Sequence, residues 1–258
     1  MNARLLYCLV CCAAVFSEVG FAQEAAGSIT AFQGQKLVIP SYFSPLSVPW
    51  AWVERSAPAV GVTVINPASG PGFRFNQDYF KQTRRAQSRG ILVIGYVHTS
   101  YGERSPAEVR REIDRYYNWY GVDGIFVDEV SNDCQRQPYF QQVFDYIKAK
   151  GGVGRVVLNP GSIVPECYIS AGDIIIIFES TYDVYVDWRP SGWELAYPAS
   201  RFCHIIHGTS AADLPNAIAL SKRRHAGWVY VTPDTLPNPW DTLPEEPYWS
   251  EELALASQ

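Results

Sequence analysis

Eight short apolar runs recur along the chain, each followed by a polar or helix-patterned stretch. They are "KLVIPSYF" from Lys36, "VGVTVINP" from Val60, "ILVIGYVH" from Ile91, "DGIFVDEV" from Asp123, "GRVVLNPG" from Gly154, "DIIIIFES" from Asp173, "CHIIHGT" from Cys203 and "WVYVTPD" from Trp228. Their middles are apolar without polar alternation, the pattern of strands buried on both faces, as in parallel sheets covered by helices. Between them lie helical patterns. "NQDYFKQTRRAQSRG" offers Asn76 as N-cap and Gly90 just past its end. Ser105, Pro106 and Glu108 predict a capping box, followed by Val109, Ile113, Tyr116, Tyr117 and Tyr120 along one face. Further helices are expected around Trp50 to Ala57, in "PYFQQVFDYIKAKGG", and in "DLPNAIALSKRRHAG" between Ser210 and Gly227, with a short turn near "VPECYIS".

Eight strands alternating with helical segments predict one (β/α)8 barrel of the TIM type over residues 36–258. A doubly wound open sheet usually carries a glycine-rich phosphate turn after its first strand, and "IPSYFSP" contains no glycine. The long aromatic connection "STYDVYVDWRPSGWELAYPASRF" is expected to wall a groove. The proline-rich "PDTLPNPWDTLPEEPYW" excludes a regular helix and is expected to wrap one barrel end.

Each strand is polar where it finishes: Ser41 and Tyr42, Asn66, Tyr96 and His98, Asp128 and Glu129, Asn159, Glu179, His207, Thr232 and Asp234. In a parallel barrel those ends share one face, the face that carries chemistry. Asp128, Glu129 and Glu179 dominate the ring. Successive strand side chains point oppositely, so Asp128 and Glu129 aim alike only if the strand has already ended. One is expected to be chemical and the other supportive. Glu179 lies two strands round from Asp128, and two carboxyls flanking a shared volume suit cleavage of a glycosidic bond. A metal held by His98, Asp128 and Glu129 is the competing reading, but no H-x-H, HExxH or cysteine cluster is present. The G-x-S-x-G elbow of a serine hydrolase is missing too.

Composition sharpens this. A net charge of −5 argues against nucleic acid as partner, and the basic cluster Lys222-Arg223-Arg224 reads as a solvated helix face. Aromatic residues make up 14% of the chain, more than packing alone requires, and such rings also serve as platforms for sugars. Residues 1–22 resemble a secretory signal, with Arg4 before the apolar "LLYCLVCCAAVF" and cleavage expected between Ala22 and Gln23. Residues 23–35 read as a polar linker, and no later apolar run is long enough to span a bilayer. Cleavage would leave Cys134, Cys167 and Cys203. The first two lie in loops after consecutive strands and are the pair best placed for a disulfide.

"IPSYFSP" with a following Trp, "GYVHTSYGER", "WYGVDGIFVDEV", "VVLNPG" and "FESTYD" occur in order, and together they resemble the spherulation-specific, or spherulin-4, family from Lys36 to about Thr232. The resemblance implies a (β/α)8 glycoside hydrolase acting on α-1,4-linked N-acetylgalactosamine stretches of exopolysaccharides such as galactosaminogalactan. It implies Asp128 as nucleophile or ion-stabilising carboxylate, Glu179 as general acid/base and Glu129 as a supporting acid. On this reading Tyr42, Tyr96, His98, Tyr101, Asn159, Tyr182, Trp188 and His207 contact the saccharide. The protein is expected to be secreted or periplasmic, monomeric, endo-acting, free of cofactor and away from the membrane once its signal is removed. A non-catalytic carbohydrate-binding or encystment matrix protein on the same scaffold is the alternative. Retention versus inversion, and acetylated versus free galactosamine, stay open.

Overall fold

The computed structural model describes residues 34–258, so the signal at 1–22 and nearly all of the linker lie outside the described residues. Eight strands run in chain order: β1 (Lys36–Ser41), β2 (Val60–Ile65), β3 (Leu92–His98), β4 (Gly124–Asp128), β5 (Arg155–Asn159), β6 (Ile174–Thr181), β7 (Phe202–His207) and β8 (Trp228–Val231). Each pairs in parallel with the next, and Lys36 and Leu37 pair with Trp228 and Val229 to close the barrel. The (β/α)8 expectation is met.

The helices outside are α1 (Pro49–Arg55), α2 (Gln77–Ser88), α3 (Pro106–Arg115), α4 (Gln137–Lys148), α5 (Tyr182–Asp187), α6 (Leu214–Arg223) and α7 (Tyr248–Ser257). Asn76 caps α2 as expected, its Oδ1 accepting from the Asp78 and Tyr79 amides. α3 begins at Pro106, but the Ser105 side chain makes no capping bond. Proline's fixed φ starts that helix instead. The chain continues from α3 through one wider turn, Tyr116–Tyr120.

Valine and isoleucine fill both strand faces, and Leu37, Val62, Ile94, Ile125, Val157, Ile176 and Ile205 are buried. Gly124 starts β4 where a Cβ would lie 1.9 Å from the Arg155 carbonyl oxygen, so no larger residue fits that register. The proline-rich segment is irregular as expected until Tyr248, where α7 follows with Trp249, Glu252 and Ala256 buried. The sequence expectation fails at the basic cluster. Arg224, read as part of a solvated face, is buried and donates to the Tyr185 and Val186 carbonyls. Among the described residues no helix is long and apolar enough to cross a membrane. Cys134 and Cys167 form a disulfide and Cys203 is a buried free thiol.

Candidate active site

β3, β4 and β5 bring their C-terminal residues into one layer. His98 pairs with Asp128, and Asp128 with Asn159. A cavity of about 360 Å³ opens over this layer, lined by residues that include Tyr42, Tyr96, Tyr101, Asp128, Glu129, Asn159, Glu179 and Trp240. Its lining holds three carboxylates and no Lys, Arg or His.

Asp128 is the last residue of β4. Its Oδ2 accepts the Tyr96 hydroxyl at 2.6 Å, and its Oδ1 accepts Asn159 Nδ2 at 2.8 Å. The same Asn159 nitrogen donates to Glu179 Oε2 at 2.6 Å. Two oxygens bonded to one nitrogen at 2.8 and 2.6 Å lie no more than about 5.4 Å apart. Asn159, itself buried, thus sets the separation of the two acids.

Burial pushes the Glu179 carboxyl up to about 7; the Asn159 bond opposes this and the charge of Asp128 adds to it. Burial also raises Asp128; the Tyr96 hydroxyl, the Glu129 backbone amide and Asn159 pull back, while the charge of Glu129 adds to the rise. Both carboxyls are thus shifted upward, Glu179 to about 7, and more donors oppose the shift at Asp128 than at Glu179.

Glu129 lies past the end of β4 with φ +53°, in the left-handed region. That turn resolves the opposed-faces problem, because the strand has ended and both acids line the cavity. Glu129 Oε2 accepts the Ser100 amide at 2.9 Å and lies 3.3 Å from His98 Nδ1.

Of the expected sugar contacts, Tyr42, Tyr96, Tyr101 and Asn159 line the cavity. His98 contacts its rim through Glu129. His207 is buried edge-on to Trp240, with ring centroids 5.9 Å apart. Tyr182 and Trp188 lie elsewhere, against expectation. Tyr182 is buried and its hydroxyl accepts from Asn216 on α6, while Trp188 stacks on Tyr185 with Arg224 over its ring. Both consolidate the outer wall, because the connection after β6 folds back onto the barrel rather than along a groove. Trp240 was missed. It lies in the proline-rich segment expected to wrap a barrel end, and its carbonyl accepts the Tyr42 amide at 3.1 Å, which ties that segment to the end of β1. Among the described residues no group of three or more His, Cys, Asp and Glu side chains is arranged to hold a metal ion.

A closed parallel barrel with acids collected at the strand ends defines a glycosidase-like (β/α)8 protein. The model of spherulation-specific family 4 matches residues 36–256, and the chain belongs to that family. Spherulin-4 of Physarum polycephalum is 33% identical over 210 residues, covering 76% of this chain and 63% of that protein. The chain therefore spans less than two thirds of that relative. Sph3 of Aspergillus clavatus, whose crystal structure holds GalNAc, superposes with a TM-score of 0.77 at 26% identity over 88% of this chain and 100% of that one. The chitinase RmChi1 of Rhizomucor miehei (14% identity, TM-score 0.52, 87% and 99% of the two chains) shares the fold. So does Dispersin B (9%, 0.51, 87% and 97%).

Proposed function

We propose that this protein is an exported, endo-acting glycoside hydrolase that cleaves α-1,4-linked, galactosamine-rich exopolysaccharide with Asp128 and Glu179. One observation carries the reading: a single Asn159 nitrogen holds both carboxylates beside the cavity, where burial pushes Glu179 up to about 7 and more donors oppose the rise at Asp128. The substrate class is supported by Sph3, a relative whose structure contains GalNAc. Export is supported by the Cys134–Cys167 disulfide, since such bonds persist in oxidising compartments.

Protonated Glu179 gives its proton to the glycosidic oxygen as the bond to the anomeric carbon breaks. Ionised Asp128 attacks that carbon, forming a glycosyl ester while the leaving chain departs as an alcohol. Glu179, now a carboxylate, takes a proton from water. The resulting hydroxide attacks the anomeric carbon, releasing Asp128 and returning Glu179 to its acid form. One nitrogen holding an oxygen of each carboxylate keeps the two acids close neighbours, in keeping with a double displacement, whose carboxyls lie about 5–5.5 Å apart against about 6.5–9.5 Å in an inverting pair.

The test is incubation with galactosaminogalactan and with a Pel-type polymer, reading products by mass and the first-formed anomer by NMR. Release of α-anomeric oligosaccharides by wild type, lost in Asp128→Asn and Glu179→Gln with polymer binding kept, is the expected result. Binding without cleavage by wild type overturns the reading in favour of a carbohydrate-binding protein.

A further inference from the structure

Between β3 and α3, Ser100, Tyr101 and Gly102 adopt φ values of +48°, +56° and +83°, and across from them Glu129 adopts +53°. Glycine takes this region freely; serine, tyrosine and glutamate do so only where surrounding contacts over-determine them. Here the contacts converge on Glu129. Its carboxylate accepts the Ser100 amide at 2.9 Å, and its carbonyl accepts the Tyr101 amide and the Thr99 hydroxyl, each at 2.8 Å. Thr99 also donates through its amide and hydroxyl to the Asp128 carbonyl at 3.1 and 3.0 Å. The consequence is an unusual placement. Tyr101 lines the cavity of Asp128 and Glu179 yet is 60% exposed, a large ring held out at the rim.

We propose that Glu129 is a positioning residue that braces the arch at Ser100–Gly102, and that the arch presents Tyr101 as a stacking platform for a sugar ring flanking the scissile bond. This rests on the glycosidase reading above. The carboxylate of Glu129 hydrogen-bonds to the arch and to His98, with no hydrogen bond to Asp128 or Glu179. Its hydrogen bonds are therefore those of a brace, and a neutral acceptor of the same shape keeps them, while its charge reaches Asp128 only through space. A pyranose presents axial C–H groups on one face, which pack on an aromatic ring without needing a charge.

Two arms test this. In the first, kcat and KM on polymer are measured for Tyr101→Ala, Glu129→Ala and Glu129→Gln. Tyr101→Ala and Glu129→Ala raise KM about tenfold with kcat within about threefold of wild type, and the double variant is no worse than either single one. Glu129→Gln, which keeps an acceptor for the Ser100 amide, stays within about threefold on both parameters. Amide exchange at Ser100 and Tyr101 rises in Glu129→Ala and not in Glu129→Gln, which separates loss of the brace from general unfolding. In the second arm, affinity for an α-1,4-linked N-acetylgalactosamine oligosaccharide is measured by calorimetry in the Asp128→Asn background, and the same ranking is expected. A Glu129→Gln variant as inactive as Asp128→Asn overturns the proposal by giving the charge a chemical role. Unchanged KM and affinity in Tyr101→Ala overturn it as well. If wild type cleaves nothing but the calorimetric ranking holds, the hydrolase reading fails and the platform stands. If neither cleavage nor binding occurs, both fall.

Discussion

Glu179→Gln is expected to separate activity from stability, with a sign that reverses the usual cost of mutating a buried polar residue. In the unfolded chain this carboxyl ionises near its ordinary 4.5, whereas in the folded barrel burial pushes it up to about 7. Between those values the native state holds the extra proton, so stability falls as pH rises through the interval, and the loss is complete above about 7. Moving one carboxyl from 4.5 to about 7 corresponds to about 3 kcal/mol. Glutamine carries no such penalty, and its carbonyl oxygen can still accept the Asn159 amide. Wild type and Glu179→Gln should therefore unfold alike at pH 4, while at pH 8.5 the variant is more stable by about 3 kcal/mol, or roughly 6–12 °C in Tm for a domain of this size. Calorimetric melting of both proteins across pH 4 to 9 is the assay. The informative quantity is the change in the difference between them, because packing effects of the substitution are constant with pH. A stability difference that does not grow between pH 4 and 8.5 refutes the claim that the barrel mouth keeps this acid protonated, and with it the assignment of Glu179 as proton donor.

Two further outcomes follow from neighbouring contacts. Tyr96→Phe removes the hydroxyl that donates to Asp128 at 2.6 Å, a bond that pulls that carboxyl down. The rate at the optimum should fall about 10–100-fold, since a hydrogen bond to a charged group contributes about 1.5–3 kcal/mol, and the acidic limb of the pH–rate profile should move to higher pH. A lower rate with an unmoved acidic limb would show that Tyr96 acts on the sugar rather than on Asp128. Replacing Cys134 and Cys167 together by serine opens a link across 33 residues and should cost about 3–4 kcal/mol by chain entropy, read as a lower Tm with kcat unchanged, because neither sulfur lines the cavity.

The barrel and the membership of its acidic ring were legible because both follow from periodicity. A strand such as Ile125-Phe126-Val127 announces itself by burial, and parallel closure places every strand end on one face, so Asp128 and Glu179 could be assigned to a common mouth without coordinates. What the mouth does with each residue depended on backbone detail that no pattern encodes. Nothing in "DEV" says that Glu129 turns left-handed, although the shared cavity of Asp128 and Glu129 depends on it. Asn159 looked like a sugar ligand, but its amide is occupied by two carboxylates. Trp188 and Trp240 changed places. Both sit in irregular segments rich in aromatics and proline, and only the path of the chain decides which ring reaches the cavity and which is clamped under Arg224.

The choice of partners around the two acids bears on why the site is built from neutral donors. A lysine or arginine beside Glu179 would stabilise its anion and draw its pKa down, leaving no proton to give near neutrality. The cavity lining instead contains tyrosines, an asparagine and a tryptophan, with no cationic side chain. Neutral donors can hold a carboxyl in place in either protonation state, and they can be distributed unevenly. Asp128 receives the Tyr96 hydroxyl as well as Asn159, whereas the Asn159 amide alone donates to the Glu179 side chain. That asymmetry works together with burial, the largest influence on both carboxyls, which lifts Glu179 to about 7 and suits it to give the proton in the proposed pair. Moving a second donor from Asp128 to Glu179 would lower the Glu179 carboxyl and weaken it in that role.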